Sequence, residues 1–186
     1  MIEDDTHEGD GRRARTRQAI TDALIRLMSE RRYSAIRTTD VIETAGIGRS
    51  TFYEHFQSKD AVLELIVEPI LMPLALAGAR SGNTARLRIM LDHLWDRRAL
   101  TRRLFEPPLQ AKLQRRLAAL IEARIASAAV HLPSLVATGS AAAQFAMIRM
   151  WLSGEASCRS EALAEALAGV RDRRGERGTT ARLDRV

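Results

Sequence analysis

A glycine turn between two short helical segments constrains this chain of 186 residues more than any other feature. Gly46 closes a short amphipathic segment and can adopt the left-handed conformation that ends a helix. The next segment, from about Gly48 to Phe56, carries apolar side chains on one side and hydrogen-bonding side chains on the other, and Ser58 can cap the helix that follows. This pattern predicts a helix-turn-helix, whose second helix lies in the major groove of DNA.

The same segment, with its flanks, resembles the TetR family (TetR/AcrR-like) of transcriptional regulators. The family's mark is an Ala-Gly turn, a Thr-aromatic-Tyr core, a His-Phe step and a Lys-acidic pair. In this sequence the matching residues are Ala45-Gly46, Thr51-Phe52-Tyr53, His55-Phe56 and Lys59-Asp60. The resemblance is specific over residues 12–66 and architectural beyond them. It implies a homodimer whose two recognition helices lie about 34–36 Å apart, one turn of double-stranded DNA.

Helical periodicity continues through most of the remaining chain. Apolar residues recur at three- and four-residue spacing, most clearly over residues 109–125, and strand-like alternation is scarce. We therefore predict an all-α fold of about nine helices, in which a three-helix helix-turn-helix domain precedes a helical bundle. The resemblance implies that this bundle binds a ligand and dimerises.

The expected domain boundaries follow from composition and motifs. They are a disordered acidic N-terminus at 1–11, a helix-turn-helix DNA-binding domain at 12–58, a helical effector-binding and dimerisation domain at 59–174, and a flexible Arg-rich tail at 175–186. Four arginines at positions 12, 13, 15 and 17 crowd the expected start of the first helix, where positive charge opposes the helix dipole. Phosphate could compensate them, or they could form a solvated arm.

Charge and cysteine content favour a cytoplasmic protein with a polyanionic partner. The formal net charge is +6, which suits DNA, although many basic proteins bind no nucleic acid. Cys158 is the only cysteine, so no internal disulfide can form. No stretch approaches the roughly 18 to 20 apolar residues that span a bilayer, and the acidic first residues are unlike a signal peptide.

The front of the recognition helix supplies the candidate DNA contacts. Arg49 is best placed to read a base, because a guanidinium can bond guanine O6 and N7 together. The resemblance implies that Tyr53 and His55 contact phosphates and that Lys59 is a phosphate clamp at the start of the next helix. The full predicted DNA-binding set is Thr38, Thr39, Arg49, Ser50, Tyr53, His55 and Lys59.

Several of these residues have structural alternatives. Tyr53 could be a packing residue with a wet hydroxyl, and His55 could hold the loop by a local hydrogen bond. Glu54 would repel phosphate, so we expect it to pair with a neighbouring arginine rather than to accept from cytosine N4.

Two positions depart from the family pattern. Arg37 replaces the usual Ser or Thr before the second helix, so we expect the cap to move to Thr38. Gly48 stands where a Ser often caps the recognition helix, and Gly is tolerated there at modest cost.

Two further residue sets follow from the resemblance. The family pairs its last two helices across a two-fold axis, and the alternative for these apolar residues is an ordinary intramolecular core. The expected dimer interface is Phe145, Ile148, Trp151, Leu152, Leu163, Leu167 and Val170. Family members hold an effector between the middle helices, although such apolar residues are also typical of plain core. The expected effector-binding set is Met72, Leu76, Leu91, Leu94, Trp95, Leu104, Phe105 and Met147.

The leading functional prediction is a dimeric transcriptional repressor that a small-molecule effector releases from a palindromic operator. The alternative is a ligand-independent DNA-binding protein or an activator of the same fold. No GxGxxG, P-loop, nucleophile elbow or metal-ligand cluster occurs, and the histidines are scattered, so we expect no enzyme, catalytic residue, metal or cofactor.

Overall fold

The described part of the chain consists of nine α-helices and one 3-10 turn, with no strand among those residues. The computed structural model describes residues 4–77, 83–126 and 130–169. In chain order the helices are α1 Asp4–Glu30, the 3-10 turn Tyr33–Ala35, α2 Thr38–Ala45, α3 Arg49–His55, α4 Lys59–Ala77, α5 Thr84–Asp96, α6 Arg98–Leu104, α7 Leu109–Ile125, α8 Pro133–Ser153 and α9 Ser160–Gly169. The predicted all-α fold of about nine helices is confirmed.

The chain forms two compact units, which we call the N-terminal unit, Met1–Glu68, and the C-terminal unit, Pro69–Val186. The division follows Glu68 rather than Ser58, where the sequence suggested it. Val62 and Leu63 are fully buried and belong to the N-terminal unit, so this unit extends past the helix cap. The expected tail at 175–186 lies outside the described residues.

Helix α1 begins at Asp4, whereas we expected disorder through Gly11 and a helix from about Arg12. Ile20, Leu24 and Met28, which recur at four-residue spacing, are buried, so helical periodicity marks the packed part of the helix. Periodicity did not locate the N-terminal end of α1, because a helix can extend without burying apolar residues.

Helix α4 contains Pro69 and Pro73, and although an interior proline commonly kinks or breaks a helix, this one continues to Ala77. An interior proline removes one backbone hydrogen bond and costs about 3 kcal/mol. Leu71 and Leu74 are almost fully buried, and their burial offsets part of that cost.

The C-terminal unit is built on two helix pairs, α7 with α8 and α5 with α9. The predicted stripe along α7 is buried at Leu109, Leu113, Leu117, Ile121 and Ile125. Two aromatic contacts join separate helices or their ends: the ring centroids of Phe105 and Phe145 lie 4.8 Å apart, and those of Trp95 and Trp151 lie 4.7 Å apart. Gly154, with φ of 86°, ends α8.

The residues expected at a dimer interface are instead part of this core. Six of them have side chains that are at most 5% exposed in the single chain: Phe145, Ile148, Trp151, Leu152, Leu163 and Leu167. Val170 lies outside the described residues. In the single chain these six side chains therefore pack within the C-terminal unit, and their role at a dimer interface stays a prediction.

Among the described residues, no helix combines the length and the apolar character that a bilayer span requires.

Candidate nucleic-acid interface

The turn between α2 and α3 has the geometry that the sequence predicts. Gly46 adopts φ of 65° and ψ of 32°, the left-handed conformation that a glycine reaches without a Cβ penalty. Its amide donates to the Glu43 carbonyl at 3.1 Å, and the Ile47 amide donates to the Ile42 carbonyl at 3.3 Å. These bonds satisfy carbonyls at the end of α2 and turn the chain directly into α3.

The back of α3 is anchored by aromatic side chains. Phe52 is fully buried and Phe56 nearly so, with their ring centroids 6.2 Å apart. Val41 of α2 is also fully buried in this unit. Because α3 has only seven residues, this packing rather than intrinsic helix stability holds it in place.

The opposite face of α3 is open to solvent. Arg49, Ser50 and Glu54 are exposed, Tyr53 is 47% exposed, and His55 is half-buried. The Arg49 guanidinium lies 5.6 Å from the centroid of the Tyr53 ring, one helical turn away, so the two side chains share this face. A cation and a hydroxyl-bearing aromatic ring thus project together from a rigid helix.

Glu54 forms no ion pair within the described residues, so the expected pairing with an arginine is absent. The neighbouring guanidinium of Arg49 is instead placed over Tyr53.

The start of α2 differs from the expectation. Arg37, not Thr38, is the N-cap residue, and its amide donates to the Asp40 carboxylate at 2.7 Å. The Arg31 guanidinium also approaches that carboxylate, at 3.4 Å. The Asp40 side chain, three residues inside the helix, thus accepts from the backbone amide of the N-cap residue, which is the half of a capping box that needs no cap hydroxyl. Thr38 is half-buried and Thr39 exposed beside this point.

Residues at the start of α4 contact the segment that connects α1 to α2. The Lys59 ammonium donates to the Tyr33 carbonyl at 3.1 Å and also to the Ile36 carbonyl, and it lies 4.4 Å from the centroid of the Tyr33 ring. The Tyr33 hydroxyl donates to the Asp60 carboxylate. We call these three side chains, Tyr33, Lys59 and Asp60, the α4 clamp.

Burial raises the pKa of the Tyr33 phenol well above its ordinary value, and the hydrogen bond to Asp60 raises it further. Tyr33 therefore keeps its proton and acts as a donor to Asp60 throughout the physiological pH range. From the sequence we expected Lys59 to contact a phosphate, whereas Asp60 was only a family position and Tyr33 had no role.

The arginines near the start of α1 form an exposed cationic strip. Arg12, Arg13, Arg15 and Arg17 are all exposed, and the Arg17 guanidinium lies 4.9 Å from the centroid of the Phe56 ring. This contact places one end of the strip against Phe56, the C-cap residue of α3. The arginines thus add positive charge beside the recognition helix.

The expected effector-binding residues lie in the C-terminal unit with mixed exposure. Leu91, Leu94, Leu104 and Phe105 are buried. Met72 and Met147 are half-buried, while Leu76 and Trp95 are exposed. This set remains a prediction.

Comparisons with known proteins bear on the first part of the chain. The sequence profile described as "Bacterial regulatory proteins, tetR family" matches residues 20–66. The HTH-type transcriptional regulator EthR of Mycolicibacterium smegmatis is 38% identical over 63 residues, which are 34% of this chain and 27% of that protein. The uncharacterized HTH-type transcriptional regulator YxbF of Bacillus subtilis is 32% identical over 60 residues, 32% of this chain and 16% of that protein. The chain therefore matches less than a third of the length of these curated relatives.

Two solved structures resemble the whole fold. A TetR transcriptional regulator from Streptococcus agalactiae superposes with a TM-score of 0.58 at 23% identity, covering 89% of this chain and 98% of that one. The dihydroxyacetone kinase operon activator DhaS superposes with a TM-score of 0.50 at 22% identity, covering 86% of this chain and 95% of that one. At these identities the likeness shows a shared fold.

Proposed function

We propose that this chain is a cytoplasmic DNA-binding transcriptional regulator of the tetR family, whose sequence profile its residues 20–66 match. In this proposal a homodimer binds a palindromic operator in double-stranded DNA and represses transcription until a small-molecule effector releases it. The observation that carries the proposal is the two-sided helix α3, with Phe52 fully buried behind it and Arg49 and Tyr53 exposed in front. A helix that reads a groove must be rigid behind and polar in front.

We assign the DNA contacts by position on this face. Arg49 reads a base, since its exposed guanidinium can bond guanine bidentately. Ser50, Tyr53 and His55 on α3 contact the same groove and its phosphates. Thr38 and Thr39, at the N-terminus of α2, supply hydroxyls to the neighbouring backbone.

The test of this assignment is selection of genomic DNA fragments by the purified protein, followed by sequencing. We expect enrichment of an inverted repeat, and we expect the Tyr53→Ala variant to lose it. In vitro transcription from a promoter that carries the enriched sequence then separates a repressor from an activator. A folded protein that enriches no sequence would contradict the assignment, unless an added effector restores enrichment.

Dimerisation is supported by an exposed stripe on α8, although not by the residues that the sequence suggested. Its members are small or apolar and follow one another at helical spacing: Leu135, Thr138, Gly139, Ala142, Ala146 and Met150. Leu135 is 67% exposed in the single chain, and Ala162 and Ala166 on α9 are exposed as well. We propose that this α8 stripe meets its copy in an isologous two-fold interface, because small residues let helices approach closely.

The Ala142→Arg variant tests the α8 stripe. A long cationic side chain at the centre of the proposed interface must be desolvated without a partner, so the dimer dissociation constant should rise about 100-fold or more. Sedimentation velocity over a concentration series measures it. The matched control is Ala119→Arg, which introduces the same side chain at an exposed position on α7. Equal dimerisation of both variants would contradict the assignment.

The release step is supported by a buried amide in the C-terminal unit. Gln144 is fully buried on α8, and its Nε2 donates to the Leu74 carbonyl at 3.1 Å near the end of α4. Its Oε1 has no hydrogen-bond partner among the residues that the structure describes. The carbonyl partner fixes which end of the amide is the donor, so the orphan atom is an acceptor. We propose that the effector donates an N–H or O–H group to it.

The Gln144→Met variant tests this role. Methionine has a similar length and no amide acceptor, so an effector that bonds Oε1 should lose about tenfold or more in potency, as expected for a hydrogen bond with a buried partner. The measurement is release of the protein from its selected operator by compounds found in a screen on the wild type. Compounds that release both proteins equally would contradict the role of Gln144.

A further inference from the structure

The α4 clamp ties the start of one helix to the chain segment that enters another. The 3-10 turn Tyr33–Ala35 joins α1 to α2, and Lys59 is the first residue of α4. The Lys59 ammonium binds carbonyls at both ends of the turn, those of Tyr33 and Ile36, while Asp60 receives the Tyr33 hydroxyl. All of these residues belong to the N-terminal unit.

The chemistry of the clamp favours a fixed position for the ammonium. An ammonium has three N–H donors, and two of them are directed at carbonyl oxygens. The ring of Tyr33 lies 4.4 Å from Nζ and adds a cation–π attraction. Lys59 is half-buried, so these contacts are screened less by water than those of an exposed lysine. Moving Nζ to a phosphate would require breaking them.

The clamp lies next to the residues that enter the DNA face. Ile36 is buried and is followed by Arg37 and Thr38, the N-cap and first residue of α2. On the other side, Lys59 comes four residues after His55, the last residue of α3. The clamp therefore connects the two ends of the helix-turn-helix, because it holds the segment that precedes α2 against the segment that follows α3.

We propose that Lys59 and Tyr33 are positioning residues for DNA binding, which hold the two ends of the helix-turn-helix together, and that Lys59 makes no phosphate contact. This inference rests on the proposed DNA-binding function and replaces the phosphate-clamp role that the sequence suggested for Lys59. Loss of the clamp lets α2 and α3 shift as a pair and lowers DNA affinity. The number of phosphates that the protein neutralises stays the same.

The salt dependence of binding separates these two roles. The logarithm of the binding constant falls with the logarithm of salt concentration, with a slope of about −0.9 for each phosphate that a cation neutralises. Fluorescence anisotropy on a random 30-base-pair duplex, in a salt series starting at low salt, gives the dissociation constant and slope for the wild type, Lys59→Met, Tyr33→Phe and the double variant. Titration at high DNA concentration gives the active fraction of each protein.

We expect Lys59→Met to bind about tenfold more weakly with an unchanged slope, and Tyr33→Phe to bind severalfold more weakly with the same slope. The fold-loss of DNA affinity in the double variant should not exceed the product of the two single fold-losses, and it should lie closer to that of Lys59→Met alone. The reason is that both substitutions disrupt the same cluster of contacts. Lys112→Met, which removes the other lysine of the chain, should leave affinity and slope as in the wild type.

Three outcomes would overturn the proposal. A salt slope for Lys59→Met that is shallower than that of the wild type, by about 0.9 for each bound subunit, would mean that Lys59 contacts a phosphate directly. Unchanged affinity in both single variants, or a reduced active fraction with normal affinity, would mean a role in stability alone. Absence of binding by the wild type would contradict the DNA-binding function itself. If Lys59→Met does not fold, Tyr33→Phe, which loses only a hydroxyl, still tests the positioning role, and unchanged affinity in that variant would contradict it.

Discussion

Replacing Arg49 with alanine is expected to abolish most of the protein's preference for its operator while leaving its affinity for random DNA nearly unchanged. Arg49 is exposed at the first turn of α3, and its guanidinium lies over the ring of Tyr53. A bidentate contact to guanine discriminates against other bases by about 1–3 kcal/mol. That corresponds to about 5- to 160-fold per half-site, and a homodimer has two half-sites.

The measurement is the ratio of dissociation constants for the selected operator and a random duplex at one salt concentration. Arg12→Ala is the matched control, because Arg12 is another exposed arginine of the N-terminal unit. Arg12 belongs to the cationic strip, so its loss should weaken both duplexes alike or neither, and the ratio should stay constant. Equal weakening of operator and random DNA by Arg49→Ala would contradict the readout role.

Replacing Phe52 with alanine is expected to lower the free energy of unfolding of the N-terminal unit by about 3–5 kcal/mol. The ring is fully buried behind α3 and contacts the rings of Tyr53 and Phe56. Its removal leaves a cavity under a seven-residue helix that has little stability of its own. Specific DNA binding should be lost with the orientation of α3.

The distribution of aromatic residues allows the two units to be followed separately. Both tryptophans, Trp95 and Trp151, lie in the C-terminal unit, and both tyrosines, Tyr33 and Tyr53, lie in the N-terminal unit. Urea unfolding recorded by tyrosine absorbance and by tryptophan fluorescence should show the large change in the tyrosine signal. Glu54→Ala, an exposed substitution on the same helix, is the control and should change stability by about 0.5 kcal/mol or less. Similar stability of the two variants would contradict the anchoring role of Phe52.

Local features of the N-terminal unit could be predicted well from the sequence. The left-handed Gly46 and the cap at Gly48 depend on residues within a few positions, and the structure has both. The burial of Phe52 and Phe56 followed from their helical spacing. These features are encoded by neighbouring residues, so a short segment carries the whole signal.

Features that depend on distant residues could not be predicted. Lys59 binds carbonyls 26 and 23 positions earlier in the chain, and no periodicity reveals such a contact. The apolar stripe on α8 indicated that Phe145 and Ile148 are buried but not which surface covers them, and the structure buries both within the single chain. Likewise, the cap of α2 shifted from Thr38 to Arg37 because Asp40 supplies the acceptor.

The central claim is that α3 reads the major groove, and methylation protection on the selected operator tests it most directly. Dimethyl sulfate modifies guanine N7, the major-groove atom to which we assign Arg49. If α3 reads the major groove through Arg49, the wild type protects guanines in two half-sites about one helical turn apart, and Arg49→Ala, bound at higher protein concentration, no longer protects them. Protection that persists unchanged in Arg49→Ala, or binding that protects no major-groove guanine in a guanine-containing half-site, would contradict it.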